Sequence, residues 1–280
     1  MPPILTEFLD VPLARILRAK GEGVEAAKGI KGVEGLPAIP GIETIHLLRA
    51  KDALLMKRQP KTMAIIGAGS AGCELATLFA SVGTRVLLVE SAATVLPRED
   101  AEVGAIVGRR LVELGVEVAT GADILEAINA TGAVYGLRVR CGRSTETHAL
   151  EAVVFATDVD EAGPRVTLSS PEVASVGLSA AEAKARFGGA LVGRCDVSTL
   201  ARSVAERSAA GLFKIVAHPK TRKIVGCQIV SDRAGEMIHE AALAIDLGAT
   251  VDRLAATLHA GLTWSEGVAR AAAAVSKKRD

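Results

Sequence analysis

The run Met63-Ala64-Ile65-Ile66 breaks directly into Gly67-Ala68-Gly69-Ser70-Ala71-Gly72, and no other stretch of the chain restricts its folding as severely. Four apolar residues closed by a glycine read as a short buried strand. Cys73 to Val82 then reads as a helix and Arg85 to Glu90 as a second strand. A strand, a G-x-G-x-x-G turn and a helix within one βαβ unit form the arrangement that receives a dinucleotide. Gly67 permits the tight turn, Gly69 lets the backbone approach a pyrophosphate, and Gly72 allows close helix–strand contact. Ser70 and Ala71 complete the turn, where a helix amino terminus offers N–H groups and its positive dipole end to phosphates. Glu90, closing the second strand, can accept hydrogen bonds from a ribose hydroxyl. Its charge would repel a 2′-phosphate, and no arginine follows closely, so the expected ligand is NAD(H) rather than NADP(H). The competing reading is a tight strand–helix turn with no ligand.

The chain as a whole falls into three zones. Residues 61–158 alternate strand and helix signals, with a helix at Glu99 to Leu114 and a strand at Val116 to Ala119. Strands at 123–128, 134–141 and 150–157 then follow as a meander. Residues 164–280 begin with short strands and end in helices. A hairpin is expected from Leu212–Ala217 and Ile224–Val230. A helix from Ala234 carries Met237, Ile238, Ala241, Ala242 and Ile245 as one apolar stripe. The fold class expected is therefore α/β, a Rossmann-like domain followed by an α+β domain. Residues 1–60 read as helix-like and glycine-interrupted, with no strand pattern, and Leu36-Pro37-Ala38-Ile39-Pro40-Gly41 reads as an extended linker. Gly21-Glu22-Gly23 follows charged residues rather than an apolar strand, so it reads as a turn.

Composition excludes several classes. Lysine and arginine total 33 against 32 acidic residues, a net charge of +1, which argues against nucleic acid. The amino terminus has no signal-peptide pattern, and no apolar run of about 18 residues is available to span a bilayer, so a soluble cytoplasmic chain is expected. Cys73, Cys141, Cys195 and Cys227 show no short spacing suited to a redox disulfide or a metal, and each reads as a small buried hydrophobe. No metal site is expected, and His239 and His259 read as packing or surface residues.

Thr62 to Ala76, followed by Val89-Glu90 and Leu96-Pro97-Arg98-Glu99-Asp100, resembles the NAD domain of the pyridine nucleotide–disulfide oxidoreductases, the family of dihydrolipoamide dehydrogenase and mercuric reductase. Ser170-Pro171-Glu172 through Leu178 resembles the opening of that family's dimerisation domain. Gly235-Glu236-Met237-Ile238-His239-Glu240 with Leu243-Ala244-Ile245 resembles its interface helix. The resemblance implies a homodimer built through residues 164–280, and Glu74 facing the nicotinamide–flavin contact. Without flavin, Glu74 reads as a first-turn acid favoured by the helix dipole.

The same resemblance exposes gaps. The family's FAD domain carries its own G-x-G-x-x-G and a paired-cysteine motif, and neither is found before residue 60. The family's catalytic pattern, His-x-His-Pro-Thr-x-x-Glu, aligns with His259-Ala260-Gly261-Leu262-Thr263-Trp264-Ser265-Glu266, so Gly261 stands at the catalytic histidine position. Glu266 remains, although Thr263 and Glu266 also read as a capping box, as do Ser179 and Glu182. FAD is thus expected from the family but not from the motifs present. Two readings stay open: an oxidoreductase whose flavin domain comes from a partner chain, or a non-catalytic NAD-binding, dimerising protein left by deletion.

Overall fold

The computed structural model describes residues 38–131, 134–156, 163–208 and 210–276. Residues 1–37, with the Gly21 cluster and the start of the expected linker, lie outside them. Two compact units emerge. The described residues within Met1–Val95 and Leu111–Asp158 form one, and those within Leu96–Arg110 and Val159–Asp280 the other.

In the first unit the elements are β1 (Leu47–Arg49), α1 (Ala50–Ala53), β2 (Thr62–Ile66), α2 (Ser70–Ser81) and β3 (Arg85–Val89). After α3 (Ala101–Glu113) come β4 (Glu117–Ala119), β5 (Ala122–Thr131), β6 (Val134–Cys141), β7 (Ser144–Leu150) and β8 (Ala152–Phe155). A parallel sheet runs β1-β8-β2-β3-β4, and β5-β6-β7 form a separate antiparallel sheet. Met63 to Ile66 and Val86 to Val89 are buried without alternation, as central parallel strands covered on both faces require. In α2, Gly72, Cys73, Ala76 and Phe79 recur at helical spacing and are buried.

The structure corrects the sequence reading here at four places. A strand does precede residue 62: Leu47–Arg49 pairs in parallel with Val153–Phe155. Ala38 to Gly41 is not a free linker. Ile39 is buried, the Ala127 N–H donates to the Pro40 carbonyl, and Gly41 (φ +79°) lies so close to Ala127 that a Cβ would sit 2.0 Å from its carbonyl oxygen. The strand expected within 150–157 as the last of the meander is β8, which instead joins the parallel sheet, and the meander's third strand is the unforeseen β7. Cys141 is exposed, whereas Cys73, Cys195 and Cys227 are buried, and all four are free thiols. Burial, reinforced by the Glu240 charge, pushes the Cys227 thiol far above its ordinary range.

In the second unit, β9 (Arg165–Thr167), β10 (Glu172–Gly177), α4 (Ala180–Phe187), β11 (Leu191–Asp196), α5 (Ala201–Glu206), β12 (Leu212–Ala217) and β13 (Ile224–Ser231) are followed by three helices. These are α6 (Ala234–Asp246), α7 (Val251–Ala255) and α8 (Glu266–Ser276). The antiparallel sheet runs β11-β12-β13-β10-β9, and the expected hairpin is β12–β13. One sheet face supplies Ala174, Phe213, Ile215, Cys227 and Ile229 to a core shared with Met237, Ile238 and Ala241 of α6 and Val268, Ala271 and Ala272 of α8.

The opposite face is polar in one complete row. Arg165, Ser175, Gln228, Lys214 and Arg194 lie side by side across all five strands. Three carboxylates of the 96–110 segment meet that row. Glu99 accepts from Arg165 (3.1 Å), Ser175 (2.9 Å) and Gln228 (3.0 Å). Lys214, almost wholly buried, donates to Asp100 and Glu102, and Arg194 grips Glu102 with two bonds of 3.1 Å. Burial pushes the Glu102 carboxyl up, but the hydrogen bonds from Arg194 and Lys214 outweigh it and hold it below the usual carboxylate range. Glu99 and Asp100, which in the sequence resemble part of the nucleotide domain, thus pack with the second unit.

Candidate nucleotide-binding site

The glycine loop lies at the carboxyl end of β2, beside the carboxyl end of β3, where ligands of parallel α/β sheets bind. Each outer glycine is required by a close backbone approach. Gly67 has φ +100°, and a Cβ there would sit 2.4 Å from the Ala156 oxygen. A Cβ on Gly72 would lie 1.9 Å from the Gly67 oxygen, so the first turn of α2 rests on the loop itself. Gly69 occupies the N-cap position and brings no side chain to it. The helix therefore opens at Ser70 rather than Cys73. Glu74 then falls beyond the first turn, which corrects its reading as a first-turn acid, because the dipole effect fades past that turn.

Glu90 follows β3 and is fixed by backbone donors. Its Oε2 accepts from Ala68 N–H and its Oε1 from Ala92 N–H, both at 2.8 Å, and the Ser91 hydroxyl donates to Oε1 at 3.2 Å. The carboxylate thus ties the glycine loop to the end of the neighbouring strand. A carboxylate has roughly four lone-pair positions, so these bonds still leave capacity for a ribose hydroxyl. The Cys73 thiol donates to the Ala68 carbonyl at 3.3 Å, a further tie within the loop. Gly67, Gly69, Ser70, Ala71, Gly72 and Glu90 are thus brought together at the carboxyl ends of β2 and β3.

The residues matched to the family's catalytic pattern fall in the second unit. Gly261 is exposed with nothing near its would-be Cβ, and Glu266 begins α8. The Thr263 hydroxyl donates to the Ala260 carbonyl at 2.8 Å, whereas Ser179 and Glu182 form a full capping box. His259 has a role the sequence did not suggest. Its Nε2 lies 2.9 and 3.1 Å from the two Glu240 oxygens, and its Nδ1 lies 3.0 Å from the Thr257 oxygen. The separation of nineteen positions between these partners hides the pair from any local pattern.

Residues 14–160 match the model of the pyridine nucleotide-disulphide oxidoreductases, and residues 163–272 match the dimerisation domain of the same family. The chain belongs to this family. Among its curated relatives, a dihydrolipoyl dehydrogenase of Haloarcula marismortui is 28% identical over 82% of this chain and 63% of its own length. A mercuric reductase of Lysinibacillus sphaericus is 28% identical over 84% of this chain and 56% of its own length. The chain therefore spans about three fifths of the length of these relatives. In structure it resembles the HOCl-induced flavoprotein disulfide reductase RclA of Escherichia coli, with a TM-score of 0.73, 19% identity, and coverage of 88% of this chain and 72% of that one. The fold of the family's NAD(P)H-dependent, flavin-linked oxidoreductases is thereby shared. No helix among the described residues is long and apolar enough to cross a membrane.

Proposed function

We propose that this chain is an NAD(H)-binding, dimerising member of the family that does not turn over as a lone chain. The observation that carries the nucleotide assignment is Glu90, whose carboxylate accepts from the Ala68 N–H of the glycine loop just beyond β3, the place where an acidic residue suits a ribose hydroxyl. The glycine loop and Glu90 would hold and orient the nucleotide there, and its nicotinamide would be a hydride source for an acceptor that the lone chain does not supply. Support for the lack of turnover comes from the thiols and from Gly261. Cys73 is buried in α2 and Cys227 in β13, with no paired-cysteine spacing in the sequence, and Gly261 offers neither an acid nor a base. A cytoplasmic setting fits this reading.

The test uses the whole chain, purified with and without added FAD. We expect no stoichiometric flavin absorbance, and no NADH oxidation dependent on lipoamide, oxidised glutathione or Hg(II). Tightly held flavin, or turnover of the lone chain with any of these acceptors, would overturn this reading and return the chain to the flavin enzymes.

The same proposal includes a homodimer, but through a different helix face from the one the sequence suggested. Met237, Ile238 and Ala241 are spent on the core of their own unit. Leu243 and Leu247 point outward from α6, and the Glu240–His259 pair brings the loop bearing Leu258 (97% exposed) and Leu262 beside that helix. Exposed leucines grouped in this way suit a self-complementary two-fold contact. Light scattering of the wild type should give a dimer at micromolar concentration, and the double variant Leu243→Glu, Leu247→Glu a monomer. A monomeric wild type would count against it.

A further inference from the structure

We propose that Glu117, Glu146 and His148 form a binding site for a borderline divalent cation, with Zn2+ the best match to the donor set. Glu117 lies on β4, the edge of the parallel sheet, and Glu146 and His148 on β7, the edge of the antiparallel one. One ligand atom from each can be chosen so that all three lie within 4.8 Å of one another. His148 Nδ1 is 4.0 Å from Glu117 Oε1. Two ligands on one tetrahedral zinc ion are about 3.4 Å apart, given bonds of about 2.0–2.2 Å. The remaining gap is within reach of a rotamer change, because both glutamates are exposed and His148 is the more fixed member.

Strand alternation explains why these groups converge. Glu146, His148 and Leu150 share one face of β7, and their partners on β6 are Val139, Leu137 and Tyr135. Leu137, Val139 and Leu150 belong to the core, so the imidazole and carboxylate project over an apolar floor at its rim. The basic residues of β6 point the other way. Arg138 and Arg140 lie opposite Thr147 and Thr145, and they pair with Glu126 and Asp123. The partners found for Glu146 and Glu117 are the Ser144 hydroxyl and His148, respectively. Two carboxylates and one imidazole therefore share a face from which the nearby arginines have been turned away. Imidazole favours zinc and its neighbours over magnesium or calcium, and three protein ligands leave a position for water. Bound there, the cation would tie the edge strand of one sheet to the edge strand of the other.

The opposing account is that Glu146 and His148 are inward-pointing polar groups that keep an edge strand from pairing with another chain. Titration of the full, tag-free chain with Zn2+ by calorimetry, and with Co2+ by visible absorption, separates the two. We expect one site per chain, a Co2+ spectrum typical of nitrogen and oxygen ligands, and a rise in Tm with Zn2+. His148→Ala and Glu117→Gln should each weaken binding at least tenfold, while His46→Ala leaves it unchanged. Glu117 is exposed, so its glutamine variant is expected to fold even if His148→Ala does not. No binding by the wild type, or affinity unaltered in Glu117→Gln, would overturn the site.

Discussion

Lys214→Ala is expected to destabilise the second unit by about 3–5 kcal/mol, the cost of removing one partner from a buried charge cluster. Its ammonium is shielded from water and is shared by Asp100 and Glu102. Alanine would leave Asp100, itself mostly buried, without its cation, and Glu102 with Arg194 alone. Denaturant unfolding followed by circular dichroism measures the effect. Arg140→Ala, which breaks an exposed pair with Asp123, provides the contrast, since such surface pairs contribute at most about 1 kcal/mol. Similar midpoints for the two variants would mean that the row of polar residues across the sheet contributes little.

Gly72→Val should remove nucleotide binding and disturb the first unit as well. Even the first carbon of a side chain would lie 1.9 Å from the Gly67 oxygen, and the obstacle is backbone that cannot swing aside. Relief requires α2 to move off the loop, which takes the amino end of the helix away from the phosphates it would face. Gly83→Ala provides the contrast. Unlike the helical Gly72, Gly83 adopts φ +91°, but no atom lies within 4 Å of its would-be Cβ, so only local strain is expected. Nucleotide affinity retained in Gly72→Val would show that the loop does not hold the phosphates.

How much of this was legible in the sequence follows from where the signal lies. The β2–α2–β3 unit could be read because its strands are continuous apolar runs and its turn needs glycine at fixed positions. β7 was missed because Ser144 to Ala149 is polar on both faces, which is what an edge strand with a solvated outer side permits. β1 was missed because three residues carry no periodicity, and it becomes a strand only by pairing with β8, distant in sequence. The ionic row across the second sheet needs the register of five strands, which no local pattern supplies. Its one sequence trace is Lys214 in the middle of the otherwise apolar run Leu212 to Ala217, since a lysine is almost never buried without a partner. The loop carboxylate Glu90 was assigned by position alone. Its fixation by Ala68 and Ala92 N–H groups depends on the fold.

The most direct test of the nucleotide assignment is calorimetric titration of the whole chain with NADH and NADPH, repeated on Glu90→Ala. Glu90 should favour NADH, because its carboxylate accepts from ribose hydroxyls and repels a 2′-phosphate. Removing it should narrow the preference by weakening NADH and relieving the repulsion of NADPH. The account predicts saturable NADH binding at one site per chain, at least tenfold tighter than NADPH, with the gap shrinking in Glu90→Ala. Equal affinity for the two nucleotides, or no heat with either, would contradict it.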